Sequence, residues 1–177
     1  TKYMHLNGYS FSNKMLFSLS KVSTTYTCFC ADDDFLSHSG LISGIEFLNK
    51  HQDYISVQGH YISFKLVKNW IQKFVIYHQV LGYKVEQNSP SERLIQAFSP
   101  YMQHFYALHR TEALVKSMEL ASKVPGGICA EVSVPLISML MGKHKMLPIF
   151  WMARDSGIYT DNVAIKNWSE YLNSDEG

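Results

Sequence analysis

Three adjacent aspartates, Asp32, Asp33 and Asp34, are the residues whose type and spacing best suit a chemical role. They follow a nearly uncharged run, residues 25–31, whose length and β-rich composition predict a buried strand. Adjacent carboxylates repel one another unless a cation or hydrogen-bond donors hold them. On an extended chain, Asp32 and Asp34 would face one way and Asp33 the other. Two carboxylates on one side suit Mg²⁺ or Mn²⁺, hard cations that also bind phosphate oxygens.

Two other interpretations of the acidic run remain open. The three aspartates could form a solvated turn that caps the next helix. A haloacid-type phosphatase also places an Asp-x-Asp pair after a strand, but it requires Thr or Val two positions further on. This chain has Leu36 there, which disfavours the phosphatase interpretation.

Three basic residues are further candidates for contacts with a substrate. His109 and Arg110 end a predicted strand on the side of the sheet where the acids are expected, so they could contact phosphate or an acceptor. Arg110 could equally close a surface ion pair, and Arg93 could simply support the helix that it begins. The eight histidines are scattered, and His144 is the one to check as an additional metal ligand.

Helices and strands alternate along the chain, which predicts an α/β fold with a mixed, mostly parallel sheet flanked by helices. After the acids, Ser37 or Ser39 can cap a helix that buries Leu41, Ile42, Ile45 and Leu48. Ser89-Pro90 starts another helix with a capping box to Glu92. Further helices are predicted over 12–19, 111–123, 131–141 and from Thr160 or Asp161. One or two strands are predicted over 54–66, with a break or a bulge at Gly59. The pattern over 67–85 suits helix or strand, and its β-branched and aromatic residues favour strand. Further strands are predicted over 104–110 and 145–153, with a turn at 125–127.

Composition places the 177 residues as one globular domain, with 46% hydrophobic and 18% charged residues. The net charge of +1, without a basic block, argues against nucleic acid as a partner. The three cysteines lack metal spacing and are interpreted as reduced thiols, which favours a cytoplasmic protein. No stretch is long and apolar enough for a transmembrane helix.

The run Cys28-Phe29-Cys30-Ala31-Asp32-Asp33-Asp34-Phe35 resembles the metal-binding motif of GT-A-fold glycosyltransferases. It is most similar to a bacterial subgroup of family-2-like enzymes with a DDDF motif. The resemblance spans about residues 9–154 and continues in four later segments: Asp53-Tyr54-Ile55-Ser56-Val57-Gln58-Gly59, Ser91-Glu92-Arg93-Leu94, Phe105-Tyr106-Ala107-Leu108-His109-Arg110-Thr111-Glu112, and the Gly126-Gly127, Glu131 and Gly142-Lys143 arrangement.

This resemblance implies a role for each acid. Asp32 and Asp34 would hold Mn²⁺ or Mg²⁺ and Asp33 would lie near the ribose or sugar of a nucleotide-diphosphate sugar. Glu131, near the start of a helix whose dipole would keep it ionised, would be the catalytic base. Many relatives have Glu-Asp there, where this chain has Glu131-Val132. The resemblance also implies that residues 1–177 are one partial GT-A domain without its N-terminal strands.

The expected function is metal-dependent sugar transfer to an acceptor hydroxyl, with inversion, in the cytoplasm or at the inner membrane surface. A glycan, a lipid-linked group and a protein all remain open as acceptors, as do the sugar, the base and the oligomeric state. The alternatives are a non-catalytic binding module of the same fold and, less favoured, a metal-dependent phosphatase or nucleotidyltransferase.

Overall fold

A computed structural model describes residues 3–67, 70–76, 83–99, 104–123 and 127–155. The helix predicted from Thr160 or Asp161 lies outside these residues, as does most of the turn predicted at 125–127. The described helices are α1 (Phe11–Leu19), α2 (His38–Lys50), α3 (Pro90–Ala97), α4 (Thr111–Ala121) and α5 (Gly127–Met141). The strands are β1 (Tyr26–Thr27), β2 (Asp34–Leu36), β3 (Tyr54–Val67), β4 (Trp70–Ile76), β5 (Lys84–Val85), β6 (Leu108–Arg110) and β7 (Lys143–Asp155).

The fold is α/β, with a mixed sheet that curls into a half-barrel and helices packed beside it. The strand order is β1-β6-β3-β7-β2, with β4 added to β3 and β5 added to β7. Among the described strands only β3 and β7 pair in parallel. The prediction of a mostly parallel sheet is therefore wrong. The order of elements indicates the fold class, but strand direction is decided by pairing between distant segments.

The long strands of the sheet agree with the alternating patterns in the sequence. β3 is continuous from Tyr54 to Val67, and its register against β7 shifts between Gln58 and His60. Of the two possibilities at Gly59, a break or a bulge, the structure has the bulge, within one strand. The segment from 67 to 85 contributes strands β4 and β5, as predicted.

The segment before the acids forms much less strand than predicted. Only Tyr26 and Thr27 pair with another strand, β6, and Cys30 is exposed. Asp34 does not follow a strand but begins one, because β2 pairs antiparallel with the end of β7. An apolar run predicts burial, but it does not require sheet hydrogen bonds. In this structure the run is partly buried beside helix α1.

Helix α2 begins where predicted, with Ser37 as its cap: the Ser37 hydroxyl accepts a hydrogen bond from Gly40 N at 3.1 Å. Its buried face was predicted in part: Leu48 is buried and Leu41 packs against the core, but Ile42 and Ile45 are exposed. Gly40 and Gly44 face the sheet together with Leu48. A Cβ on Gly44 would lie 3.1 Å from Leu108 Cδ2, so the helix lies too close to the sheet for a larger side chain there.

Packing is concentrated around α2, the middle of the sheet and α4. Trp151 of β7 is fully buried and donates a hydrogen bond from Nε1 to the Tyr106 carbonyl at 3.1 Å. This bond ties the loop before β6 to the sheet. The cluster around it includes Leu48, Val57, Phe105, Leu108, Leu114, Met118, Val134 and Met152.

The closest approach of α2 to β7 gives a test of this packing. A Cβ on Gly40 would lie 2.6 Å from the Phe150 carbonyl oxygen, so Gly40→Ala forces a backbone shift. We expect the free energy of unfolding to fall by about 1–3 kcal/mol in chemical denaturation. Glu46→Ala, at an exposed position of the same helix, should change it by less than about 0.5 kcal/mol. Equal effects of the two substitutions would contradict the close approach.

Candidate functional site

The acidic run forms a tight turn rather than the extended segment that its alternation implied. Asp34 N donates to the Ala31 carbonyl at 3.2 Å, which closes a turn over Asp32 and Asp33. Asp32 is exposed, whereas Asp33 and Asp34 are partly buried. The charge of Asp33 helps to raise the pKa of Asp34, after burial as the larger cause. Because of the turn, Asp33 rather than Asp32 lies beside Asp34.

Asp34 is held by Arg154 across the edge of the sheet. The two residues are direct neighbours in the antiparallel β2–β7 pair, and Arg154 Nε lies 3.2 Å from Asp34 Oδ2. The Asp34 side chain is only 2% exposed, against 34% for Arg154. Burial raises the pKa of Asp34, and the Arg154 charge opposes this rise. Sequence analysis did not single out Arg154, because a lone arginine late in a strand has no motif to distinguish it.

Glu131 of helix α5 lies near enough to the same arginine to be affected by its charge. Burial raises the pKa of its carboxyl, and the charge of Arg154 again opposes the rise. Glu131 is the fifth residue of α5, which begins at Gly127, so it lies beyond the first turn, where the helix dipole acts most strongly. Pro135 lies inside this helix and lacks the N–H that would bond to the Glu131 carbonyl.

Tyr106 completes the group of charged and polar side chains. The Arg154 guanidinium carbon lies 4.6 Å from the centre of the Tyr106 ring, a cation–π arrangement. Burial raises the pKa of Tyr106 to about 12, and the charges of Glu131, Asp34 and Asp33 add to the rise. The structure thus brings together Asp33, Asp34, Glu131, Tyr106 and Arg154, which we call the acid–arginine cluster.

An aromatic pocket of about 480 Å³ adjoins this cluster. Its wall includes Cys28, Cys30 and Ala31, which lead directly into the acidic turn, and Tyr106, which belongs to the cluster. The remaining wall consists of Phe11, Met15 and Ser18 from α1, with Phe29 and Phe105, whose rings stack with centres 4.8 Å apart. A ligand with a ring and an attached anionic or hydroxyl group would fit such a combination.

Arg93 and Arg110, two predicted substrate contacts, are instead engaged with backbone carbonyls. Arg93 is buried and donates to the carbonyls of Gln87, Asn88, Met139 and Leu140 at 2.6–3.0 Å. Arg110 donates to the carbonyls of Leu48, His51 and Tyr54 at 2.7–3.1 Å, near the end of α2. Each arginine therefore satisfies carbonyls at the end of a neighbouring helix, α5 for Arg93 and α2 for Arg110, together with carbonyls outside helices. These contacts give no support to the prediction that they bind a donor.

His109, the third predicted substrate contact, is enclosed with two other histidines. Across the sheet, Ser56 of β3 lies between His109 of β6 and His144 of β7. His104 lies against His144 with ring centres 4.2 Å apart, and all three histidines are at most 1% exposed. His144 Nδ1 is hydrogen-bonded to Ser56 Oγ at 2.8 Å. His144 precedes Arg154 by ten residues of β7, on the order of 30 Å along the strand.

Burial determines the protonation of these three histidines. It lowers the pKa of His104 to about 3, that of His109 to about 4, and that of His144 well below its ordinary value. Their nearness to one another adds to the effect for His104 and His144. At neutral pH they are uncharged, so they belong to the core rather than to an anion-binding site.

In the described part of the chain, no three His, Cys, Asp or Glu side chains are grouped so that they could hold a metal ion. A cation shared with a diphosphate needs fewer, since Mg²⁺ usually takes one or two carboxylates together with phosphate oxygens and water. The acidic turn offers such a set. Asp34 Oδ2 is buried and has Arg154 Nε 3.2 Å away without a well-oriented hydrogen bond, so a cation at this atom would have to displace the arginine.

Comparison of the chain with models of known protein families and with curated proteins finds no match. None of the helices in the described residues combines the length and the apolar character needed to cross a bilayer. The acid–arginine cluster and the aromatic pocket beside it are therefore the observations on which a functional proposal rests.

The buried histidines predict how stability depends on pH. Their folded pKa values lie below the ordinary value of about 6.5, so the unfolded chain takes up protons first as the pH falls. Their contribution to stability is complete above about pH 6.5 and is lost as the pH falls toward 4 and 3. Each histidine steepens this loss by up to about 1.4 kcal/mol per pH unit.

His104→Phe retains an aromatic ring against Tyr83, whose ring lies 5.2 Å away, but removes the titration. Urea unfolding at several pH values between 7 and 4 should therefore show a shallower loss of stability in this variant. His38→Gln, at an exposed position, should keep the slope of the original chain. An unchanged slope in His104→Phe would show that its protonation does not limit acid stability.

Proposed function

We propose that this chain transfers a sugar from a nucleotide-diphosphate donor to an acceptor hydroxyl, with inversion at the anomeric carbon. One observation carries the proposal: Arg154 pairs with Asp34 of the acidic turn, and its charge also acts on Glu131 of α5, which is distant in sequence. A base and a cation-binding carboxylate must lie on either side of the reacting carbon, so their meeting at one place supports this chemistry.

Each residue would have a defined role. Glu131 would take the proton of the acceptor hydroxyl, whose oxygen bonds to the anomeric carbon as the bond from that carbon to the donor's phosphate oxygen breaks. The leaving diphosphate keeps the electron pair. A raised pKa makes Glu131 a better proton acceptor while it remains ionised. Asp34, with Asp33 as its nearer neighbour, would hold Mn²⁺ or Mg²⁺, which when bound neutralises charge on the diphosphate.

The aromatic pocket supports a nucleotide-sugar donor over a simple phosphate. A phosphatase needs little beyond its acids and a phosphate site, whereas a nucleotide sugar presents flat rings that stack on aromatic side chains. The rings of Phe29, Phe105 and Tyr106 line the pocket beside the acids. This favours the transferase over the phosphatase or nucleotidyltransferase alternative.

A non-catalytic binding module of the same fold is the second candidate. The nearly complete burial of Asp34 and its pairing with Arg154 favour the binding module, because an ion pair of this kind can fasten the edge strand without taking part in catalysis. The Glu131-Val132 sequence, in place of Glu-Asp, points the same way. The two candidates differ in whether a nucleoside diphosphate binds with a cation at Asp34.

Calorimetry with Mn²⁺ and, in turn, UDP, GDP, ADP, CDP and dTDP tests donor binding. At least one should bind only with Mn²⁺, and Asp34→Asn should weaken it more than about tenfold, since even outer-shell partners of metal ligands are worth that much. Asp33→Asn should weaken it more than Asp32→Asn, because the turn places Asp33 nearer Asp34.

Asp53→Asn is the matched control, an exposed aspartate paired with Lys143 at the other end of β7. It should leave binding unchanged. Thermal unfolding of each variant separates lost binding from lost structure. If no nucleoside diphosphate binds, or if binding survives Asp34→Asn in a folded protein, the transferase proposal fails.

The role of Glu131 is tested by turnover. Release of the nucleoside diphosphate from a panel of nucleotide sugars should fall about 10²–10⁴-fold in Glu131→Gln, the usual contribution of a general base. Binding of Mn²⁺ and the nucleoside diphosphate should change little, because the base contacts the acceptor. Glu119→Gln, exposed on α4, should retain full turnover. Equal turnover by Glu131→Gln and the control would exclude Glu131 as the base.

A further inference from the structure

Arg154 holds a position between the two acids that the proposed reaction uses for different purposes. Its guanidinium group forms the ion pair with Asp34 and lies over the face of the Tyr106 ring. Its charge also opposes the effect of burial at Glu131. Its guanidinium group therefore places a positive charge among carboxylates.

The ion pair with Asp34 has a consequence for cation binding. A divalent cation at Asp34 must compete with the guanidinium group for the same carboxylate, since like charges that close together repel. A diphosphate removes this competition between the cation and the guanidinium group for Asp34. Its oxygens accept two parallel hydrogen bonds from a guanidinium group, which gives Arg154 another anionic partner.

We propose that Arg154 occupies Asp34 until the cation and the diphosphate arrive together, and then binds the diphosphate. This inference rests on the proposed function and adds a form of regulation to the same site. Arg154 is then a gate: it weakens the binding of a cation alone and strengthens the binding of a cation with diphosphate. Because binding free energies are coupled reciprocally, the diphosphate raises the affinity for the cation by the same factor.

The surroundings of Arg154 allow such a change of partner. Its side chain is 34% exposed, whereas Asp34 is almost completely enclosed, so the arginine is the member that can move. Its contact with Tyr106 is with the face of the ring, at 4.6 Å from the guanidinium carbon to the ring centre. Tyr106, whose ring lies against the arginine, also lines the aromatic pocket.

The test measures binding of Mn²⁺ alone, by the loss of its free-ion electron paramagnetic resonance signal, and then of Mn²⁺ with inorganic pyrophosphate by calorimetry. Arg154→Met removes the charge and keeps much of the side-chain volume. It should bind Mn²⁺ alone about tenfold more tightly and bind Mn²⁺–pyrophosphate about tenfold more weakly, within the range usual for coupled sites. Arg154→Lys, which keeps the charge but loses the planar fork, should restore the weak binding of Mn²⁺ alone.

Lys143→Met is the matched control. It removes a positive charge from the first residue of β7, where Lys143 pairs with Asp53, and should change neither affinity. A merely structural Arg154 would lower the thermal unfolding midpoint without raising the affinity for Mn²⁺. The gate is overturned if Mn²⁺ alone binds Arg154→Met no more tightly, or if Mn²⁺–pyrophosphate binds it equally well.

These outcomes separate the gate from the function on which it rests. If the original chain binds Mn²⁺ with a nucleoside diphosphate through Asp34, but Arg154→Met behaves identically, only the gate fails. If neither the original chain nor Arg154→Met binds Mn²⁺, both proposals fail.

Discussion

The structure of this site depends on one ion pair, that between Asp34 and Arg154. Enclosing a carboxylate costs several kcal/mol unless a charge or hydrogen bonds compensate for the lost water. Asp34 is enclosed because it begins an edge strand whose neighbour is the end of β7. Arg154 supplies the compensation from the position directly opposite. The contact between Asp34 and Arg154 therefore both joins β2 to β7 and compensates the buried charge of the acidic turn.

Strand β7 links this contact to the rest of the molecule. It follows α5 after a single residue, so Glu131 and Arg154 belong to consecutive elements. Near its start, His144 lies in the buried histidine group, and Trp151 in its second half is in the centre of the core. The parallel pairing of β7 with β3 fixes its position along the whole sheet. A displacement of β7 would therefore disturb the core before it altered the site, which gives the acid–arginine cluster a rigid support on one side.

Local signals predicted much of the helical structure. Ser37 capped α2 and Ser89-Pro90 began α3, because caps and first-turn prolines act within a few residues. The Ser89 side chain, however, makes no capping hydrogen bond. Ile42 and Ile45 of α2 were wrongly predicted to be buried, because the period of apolar residues favours them. The glycines allow the closest approach to the sheet, and a hydrophobic pattern does not register them.

The acids of the site were named before the structure, the acidic run from its residue types and Glu131 from the family resemblance. In the structure Arg154 pairs with Asp34, and its charge also acts on Glu131. The roles of Arg93, Arg110 and Arg154 could not be predicted, since each depends on partners far away in the sequence. Arg93 and Arg110 serve backbone carbonyls of helices to which they do not belong. Arg154 pairs with a carboxylate that becomes buried only when β2 pairs with β7.

A purely structural role does not account well for the acid–arginine cluster. A buried ion pair contributes little net stability, and apolar residues of similar size often serve as well or better. Here burial raises the pKa of Asp34, Glu131 and Tyr106, so each of them is less favourably solvated than in water. Three such groups beside an aromatic pocket are an arrangement that stability alone would not favour, and groups with shifted pKa values collect at sites of binding and catalysis. If a cation and an anion bind together, the cation compensates the charge of the acids and the anion compensates the charge of the arginine.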